Sequence, residues 1–373
     1  MTIEFQDPSK ASTATLHESF LGSTIGSNAG VGAFAYATKL GIDLLLKDEQ
    51  FASFLSNDGF TLLVGFESVT NESALEELKS LSDAYGSKLN ILGYYSSRPG
   101  CIFHPKMAWL HKAGGGATLI VGSGNLTYGG LRGNLEAFMV QGITEEEFCS
   151  LESMWAEWLQ RNKDYIYGLD SDVIRQAAKS NSAQKYGHRK LDQTSRATQD
   201  PDVESWRFEY DCEMLVAEIP RASSRWSQAN FDKGSFTNYF GFTVETSSQR
   251  ALLRCIRTEE TSSGAGYETV LGDVEVRPNV AVASHNWRIE LSAAKGIPYP
   301  DTGRPTAVFA RVGTRAFLYE LLMPSNLEYD AVQSALALRK PFGPSMRREL
   351  FQAEELFDLA PGLSIWEQYN ARQ

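Results

Sequence analysis

The sequence predicts two domains of different class: an α/β domain with a sheet flanked by helices in residues 1–165, and a mainly-β domain in residues 205–373. In the first half, apolar strand-like runs alternate with amphipathic helical segments. From Trp206 onwards, short apolar runs are separated by turn residues. Residues 166–204 between them are mainly polar and predict a linker, apart from a short helical piece near Val173–Lys179.

The first domain begins as strand, helix, strand, helix, strand. This alternation is typical of a parallel sheet covered by helices, with chemistry at the carboxyl ends of the strands. The predicted elements are a strand at 32–38, a helix carrying Leu44, Leu45, Phe51, Phe54 and Leu55 and ending at 57–59, a strand at 61–66, a helix at 71–84 and a strand at 89–95.

Three more apolar runs follow, and each predicts a strand of the same sheet: 102–110, 117–121 and 137–140. A helix is expected over 145–160. Its apolar stripe is typical of a core-facing helix, although it also suits packing against a partner chain; the stripe comprises Phe148, Leu151, Trp155 and Leu159.

The second domain reads as a β-barrel or sandwich. One helix, 329–338, and a shorter one before 359–362 follow its strands. The predicted strands are 212–219, 239–244, 251–257, 269–277, 286–291, 306–313 and 317–323.

Composition places the chain among soluble globular proteins, with 42% hydrophobic and 22% charged residues. No apolar stretch is long enough to span a bilayer and the N-terminus lacks a signal-peptide pattern, so we expect a cytoplasmic protein. The four cysteines are scattered and predict neither a zinc site nor a disulfide framework. A net charge of −11 disfavours general attraction to nucleic acid and leaves room only for a local basic cleft.

The candidate site lies within residues 101–138. On a strand, His104 and Lys106 would project from the same face, which brings an imidazole and an ammonium together. The turn Gly122–Asn125 can direct backbone N–H groups, the Ser123 hydroxyl and the Asn125 amide towards an anion. Glu136 is a candidate partner for the second imidazole nitrogen. Together these residues predict a phosphodiester site.

These motifs resemble the phospholipase D superfamily. H-x-K is followed by G-S-G-N, and the acidic residue arrives as Asn134-Leu135-Glu136 instead of the usual aspartate shortly after the lysine. This pattern is similar to the metal-independent restriction endonucleases of the superfamily, which carry one motif per chain. The resemblance implies that His104 is the nucleophile or the leaving-group acid, that Lys106, Ser123 and Asn125 hold the phosphate, and that Glu136 orients His104.

A single motif is incomplete for this chemistry, because two-step transfer needs a nucleophile on one side of phosphorus and a proton donor on the other. Apart from His104, only His188 has a lysine two positions later, Lys190, and no G-S-G-N turn follows it, so the chain carries one complete motif. We therefore expect a homodimer with one shared active site. Lysines and amides would neutralise the developing charge, so no cofactor and no divalent metal are expected.

The second half resembles the B3-like pseudobarrel DNA-recognition domain of the same endonucleases, through residues 218–241 and 305–336. The resemblance implies two arms that grip double-stranded DNA, near 221–230 and 284–288. Trp226 and Trp287 either brace these arms or anchor the core. The candidate DNA-binding residues are Arg221, Arg225, Gln228, Asn230, Asn286 and Arg288.

The sequence thus predicts a sequence-specific DNA endonuclease of restriction type, with the linker as a solvated connection or as a strap along DNA phosphates. Two alternatives remain: a phosphodiesterase acting on lipid or RNA, and a non-cleaving DNA-binding defence protein. The lack of a second motif and of a membrane-binding stretch disfavours lipid. Intact motif residues disfavour a vestigial site.

Overall fold

A computed structural model describes residues 3–56, 59–98, 102–188, 206–209, 211–221, 225–243, 248–260, 267–282 and 286–370; for 183–188, 260, 267, 280–282, 286 and 370 it describes the backbone alone. The chain divides into two compact units. Unit 1 comprises residues 1–8 and 13–205, and unit 2 comprises 9–12 and 206–373. None of the helices in these described ranges combines the length and apolar character needed to cross a bilayer.

Unit 1 contains an eight-stranded mixed sheet flanked by helices, which confirms the predicted α/β class. Its strands are β1 (Ile3–Gln6), β2 (Ser27–Phe34), β3 (Gly59–Gly65), β4 (Leu89–Tyr94), β5 (Lys106–Lys112), β6 (Ala117–Gly122), β7 (Glu136–Ile143) and β8 (Ile166–Gly168). Its helices are α1 (Leu16–Thr24), α2 (Lys39–Leu46), α3 (Glu49–Leu55), α4 (Glu72–Tyr85), α5 (Glu145–Asn162) and α6 (Asp172–His188).

The sheet order is β1-β7-β6-β5-β2-β3-β4-β8. Only β2, β3 and β4 pair in parallel, whereas every other neighbouring pair in this sheet is antiparallel. The expectation of a wholly parallel sheet is therefore wrong. Only four residues, 113–116, separate β5 from β6, and so short a connection permits only an antiparallel pair.

Helix α5 covers one face of this sheet. It begins with a capping box, in which the Thr144 hydroxyl accepts from the N–H of Glu147 and the Glu147 carboxylate accepts from the N–H of Thr144. The predicted apolar stripe packs against Ala33, Leu63 and Trp109, so the stripe belongs to the core. At the other face of the sheet, Leu110 and Phe138 are buried.

Part of the predicted linker is folded as part of unit 1. Strand β8 pairs with β4, and α6 buries Ile174 and Ala178. The amide of Asn181 donates to the carbonyls of Phe66 (3.0 Å) and Thr70 (2.8 Å). The sequence predicted only the short helical piece near Val173–Lys179, and the polar composition of the residues after it concealed the extension of the helix to His188. The remaining linker residues, 189–204, lie outside the described residues.

Unit 2 is mainly β, as predicted. A six-stranded sheet has the order β13-β12-β17-β16-β10-β18, beside the smaller sheets β11-β15-β14 and β19-β9. Its strands are β9 (Phe208–Glu209), β10 (Glu213–Glu218), β11 (Gln228–Phe231), β12 (Arg250–Glu260), β13 (Tyr267–Pro278), β14 (Val280–Val282), β15 (Asn286–Glu290), β16 (Thr306–Gly313), β17 (Ala316–Leu322), β18 (Arg348–Gln352) and β19 (Tyr369–Asn370); its helices are α7 (Tyr329–Arg339) and α8 (Ala353–Leu359). Within the described ranges of unit 2, these sheets do not close into a barrel.

One predicted strand of unit 2 is wrong. Residues 235–239 form a π-helical turn, and residues 240–243 that follow have no regular structure. The aromatic residues that suggested a strand are all buried in one cluster, namely Phe236, Tyr239, Phe240 and Phe242. The aromatic residues here indicate burial and not an extended backbone, because the preference of aromatic residues for strands largely reflects packing on a half-buried surface.

Candidate active site

The predicted site residues of unit 1 lie at one edge of the sheet. In the observed register, Phe34 at the end of β2 is opposite Lys106 at the start of β5, and Met107 is opposite Val121 near the end of β6. Glu136 starts β7, next to Gly122 at the end of β6. The edge therefore joins carboxyl ends of β2 and β6 with amino ends of β5 and β7, a mixture that the parallel-sheet prediction did not foresee.

His104 lies in an extended segment just before β5 and not within the strand, which corrects the predicted strand over 102–110. The N–H of Phe103 donates to the Glu67 carboxylate (2.6 Å), and the N–H of Ala35 donates to the carbonyl of Pro105 (2.8 Å). The buried Phe103 ring stacks on Tyr94 at 4.5 Å between centroids. Both neighbours of His104 are thus fixed while its imidazole is exposed.

Lys106 contacts the imidazole as predicted. Its Nζ lies 3.0 Å from Nδ1 and 3.1 Å from Nε2 of His104, and it donates to the His104 carbonyl at 3.2 Å. Because Nζ is nearly equidistant from both ring nitrogens, the contact places the ammonium against the imidazole without selecting one of the nitrogens as its partner. Burial lowers the pKa of Lys106, and the negative charge of Glu136 opposes this shift.

Glu136 is engaged differently from the prediction. Its carboxylate accepts hydrogen bonds from the Ser123 hydroxyl and from the Asn134 amide (3.2 Å). The Ser123 hydroxyl in turn accepts from the N–H of Ala137 at 3.1 Å. Within the described chain, the hydrogen bonds of Glu136 therefore orient Ser123, and its charge acts on Lys106.

Asn125 is half-buried in the glycine-rich turn. Its buried Oδ1 position has no hydrogen-bond partner within the described residues. The backbone is closely packed here, since a Cβ added at Gly130 would lie 2.3 Å from the Asn125 nitrogen. An amide oxygen accepts hydrogen bonds, so a donor would satisfy Oδ1, whereas a phosphate would pair with the NH2 end of the same amide.

Two buried side chains that the sequence did not single out fix the segment between Asn125 and Glu136. Gln6 donates to the carbonyl of Asn134 at 3.0 Å. The Arg132 guanidinium donates to Glu18 at 3.1 Å and lies 3.2 Å from Nδ1 of His17. Both contacts join residues more than one hundred positions apart, and no local pattern reveals such pairs.

The other described histidine side chains have structural contacts. Burial, together with the adjacent Arg132, lowers the pKa of His17 to about 4, so its imidazole is neutral at physiological pH. His111 stacks on Phe148 with 4.4 Å between centroids, and its Nε2 lies 3.5 Å from Glu145. Neither is a second imidazole of the site.

The charge of Glu136 influences the pKa of Lys106 and therefore the alkaline limit of any activity that needs a charged Lys106. That activity is lost as the pH rises through the Lys106 pKa. Glu136→Gln removes the charge that opposes the lowering, so the pKa falls further and the alkaline limb of the kcat/KM profile moves to lower pH. The matched variant Glu146→Gln changes an exposed carboxylate of α5 and should leave the limb in place. An alkaline limb that moves upwards in Glu136→Gln would contradict this assignment.

In unit 2, the predicted arms meet on one sheet. Strand β11 carries Gln228 and Asn230 and pairs with β15, which carries Asn286 and Arg288. Nε of Arg288 donates to the Asn230 amide oxygen at 3.1 Å. Arg221 and Arg225 are exposed, whereas the side chain of Asn286 and residues 222–224 and 283–285 of the arms lie outside the described residues.

Trp226 and Trp287 are core anchors. Only 2% and 8% of their surfaces are exposed. Nε1 of Trp226 donates to the carbonyl of Ile297 (2.8 Å), and Trp287 packs on Phe236.

No side-chain cluster of the described residues offers three or more His, Cys, Asp or Glu groups to one metal ion. The groups gathered at the edge of unit 1 are instead an imidazole, an ammonium, a hydroxyl, an amide and a carboxylate. Chemically, this class of site can hold an anion and supply a nitrogen nucleophile or proton donor next to it.

No protein-family model matches this sequence, and no curated protein matches it either. Among solved structures, NucT from Helicobacter pylori is 12% identical over 40% of this chain and 88% of that chain, with a TM-score of 0.29. Nuc from Salmonella typhimurium, a phospholipase D family member, is 14% identical over 45% of this chain and 97% of that chain, with a TM-score of 0.31. Yeast tyrosyl-DNA phosphodiesterase is 13% identical over 70% of this chain and 54% of that chain, also with a TM-score of 0.31. Similarity of this size carries no argument about activity, which has to come from the contacts of the site.

Proposed function

We propose that this protein is a phosphodiesterase of the phospholipase D type, and more specifically a metal-independent, sequence-specific DNA endonuclease of restriction type. The observation that carries the proposal is the convergence of His104, Lys106, Ser123, Asn125 and Glu136 at one edge of the sheet. The Lys106 ammonium touches the imidazole, and the Ser123 hydroxyl is held by the Glu136 carboxylate. These are the groups that binding and attacking a phosphodiester require.

In the proposed reaction, a neutral His104 attacks phosphorus with its free lone pair while the bond to the leaving deoxyribose oxygen breaks. His104 of the partner subunit, as an imidazolium, donates a proton to that oxygen. Water then attacks the phosphohistidine and breaks the P–N bond, while the partner's His104 takes up the proton of the water. Lys106 and the Asn125 amide stabilise the negative charge that develops on the phosphoryl oxygens.

The homodimer in this proposal is supported by an exposed apolar face of unit 1. Ile3, Met139, Val121 and Met107 are neighbours in register across β1, β7, β6 and β5, so their side chains share one face. Phe5, two residues beyond Ile3, lies on the same face. Exposed fractions of 59% for Ile3, 70% for Phe5 and 40% for Val121 are unusual for large apolar side chains. We refer to Ile3, Phe5, Val121 and Met139 as the apolar face.

The apolar face ends at the candidate site, because Val121 is two residues before Ser123 and Phe5 is opposite Ala137. A two-fold axis beside this edge would cover the apolar face with its own copy and bring two His104 imidazoles together. Such an isologous contact is self-complementary by symmetry. The second imidazole that the chemistry needs is then supplied without another motif.

Unit 2 is proposed as the DNA-recognition domain, in which the B3-like resemblance assigns readout to the two arms. The shared β11–β15 ladder and the Asn230–Arg288 hydrogen bond support this assignment, because an amide that aligns a guanidinium prepares it to donate to a base edge or a phosphate. Arg221 and Arg225 provide exposed positive charge beside this ladder.

The test is incubation of the purified protein with plasmid DNA in EDTA. Discrete fragments are expected, since neither binding nor cleavage relies on a divalent cation in the proposed mechanism. A smear of products would contradict sequence specificity, and a mobility shift without cleavage would contradict nuclease activity. Loss of cleavage on chelation would contradict the phosphohistidine route.

A further inference from the structure

Tyr36 is a residue of the site edge that no motif marks. It follows β2 and is half-buried, and its ring centroid lies 5.8 Å from that of His104 with an interplanar angle of 73°. This edge-to-face geometry is favourable for aromatic pairs. The ring thus lies against the imidazole to which the proposed function assigns the attack on phosphorus.

The backbone around Tyr36 connects the two halves of the site. The N–H of Ala35 donates to the carbonyl of Pro105 (2.8 Å), next to His104. The N–H of Leu126 donates to the Tyr36 carbonyl (3.1 Å), next to Asn125, and Thr38 donates back to the Leu126 carbonyl (3.0 Å). One short segment therefore holds the His104 segment on one side and the glycine-rich turn on the other.

This segment is also confined from both sides. A Cβ added at Gly65 would lie 2.4 Å from the carbonyl oxygen of Ala35, and one added at Gly41 would lie 2.3 Å from that of Leu126. Such close backbone approach leaves no room for the segment to shift. The backbone that carries Tyr36 is consequently held by the fold, and its half-buried ring meets the exposed imidazole.

His104, in contrast, needs a fixed neighbour. Its side chain is exposed, and its described side-chain contacts are Lys106 and Tyr36. Lys106 ends in a flexible chain with three rotatable donors and cannot by itself define the plane of the imidazole. A rigid aromatic ring against the imidazole can define that plane, because the ring blocks rotation about the bonds of the His104 side chain.

We propose that Tyr36 is a positioning residue whose ring holds the His104 imidazole in the orientation that attacks phosphorus. This inference rests on the proposed function, because it concerns the same nucleophile. The aromatic ring carries the effect and the hydroxyl is dispensable. Misplacement of a reacting atom by about 1 Å costs about 100-fold in rate, so loss of the ring should appear in kcat.

The experiment compares Tyr36→Phe and Tyr36→Leu with the wild type in steady-state cleavage of a duplex substrate in EDTA. Tyr36→Leu is expected to lower kcat about 10- to 100-fold with KM changed by less than about threefold. Tyr36→Phe keeps the ring and should retain kcat within about threefold. Tyr167→Leu is the matched control, since Tyr167 is another half-buried tyrosine of unit 1, on the edge strand β8.

Unchanged kcat in Tyr36→Leu would overturn the inference, and so would a Tyr36→Phe variant as slow as Tyr36→Leu, because the hydroxyl would then carry the effect. If Tyr36→Leu does not fold, Tyr36→Met, a flexible apolar replacement, takes its place under the same criteria. His104→Ala separates the two proposals. An active His104→Ala protein would refute the proposed function. If His104→Ala is inactive and the Tyr36 variants cleave as fast as the wild type, only the positioning role is refuted.

Discussion

Replacing His104 by alanine is expected to lower the rate of DNA cleavage by at least about 10⁴-fold, the largest effect of any single substitution in unit 1. Both reactive groups of the proposed site are copies of this residue, so one substitution removes the nucleophile and the leaving-group acid together. The measurement is single-turnover cleavage of a plasmid in EDTA. The binding of DNA should persist, because the arms of unit 2 are unaltered.

A matched control for this variant is His111→Ala. His111 lies on β5 only seven residues further along, but its ring stacks on Phe148 and it takes no part in the site. Cleavage by His111→Ala should remain within a few-fold of the wild type, with any loss appearing in thermal stability. A His104→Ala protein with about a tenth of wild-type activity or more would contradict the assignment of His104.

The second large effect is expected from Phe5→Asp in the apolar face. A carboxylate at the centre of a dimer contact is desolvated without a partner, and it would meet its own copy across the two-fold axis. We expect Phe5→Asp to sediment as a monomer and to lose at least about 100-fold in cleavage rate, because an isolated subunit has only one imidazole. The fold of the monomer should persist, since the Phe5 side chain is 70% exposed.

Leu338→Asp is the control for Phe5→Asp. Leu338 is exposed to nearly the same extent, 71%, but it lies on α7 in unit 2. It should change neither the sedimentation nor the cleavage rate. A dimeric and fully active Phe5→Asp protein would show that the apolar face is not the contact between subunits.

The elements of unit 1 were largely predictable, because helical and strand periodicities are local. The parallel pairing of its strands was predicted from the alternation of strands and helices in 32–95. That prediction fails for the later strands of the sheet, because they have no helix between them. The Gly114–Gly116 connection was the available signal: it is far too short for a parallel crossover. A hairpin there already places Lys106 opposite the glycine-rich turn.

The identity of the site residues was predictable from spacing, but their contacts were not. Glu136 was expected at His104, whereas the register of β6 and β7 places it at Ser123. Tyr36 and Glu67 contact the His104 segment from positions more than thirty residues away. Neither belongs to a motif, because their role depends on where β2, the neighbour of β5, and the next strand, β3, end in the sheet.

The most direct test of the shared site is a mixture of subunits. Wild-type and His104→Ala chains, unfolded together in equal amounts and refolded, should form three kinds of dimer at random, of which about one quarter contain two wild-type subunits. If both imidazoles act on one phosphorus atom, the mixture retains about one quarter of the cleavage activity in EDTA. Retention of about half would show that each subunit cleaves with its own His104, and would contradict the account.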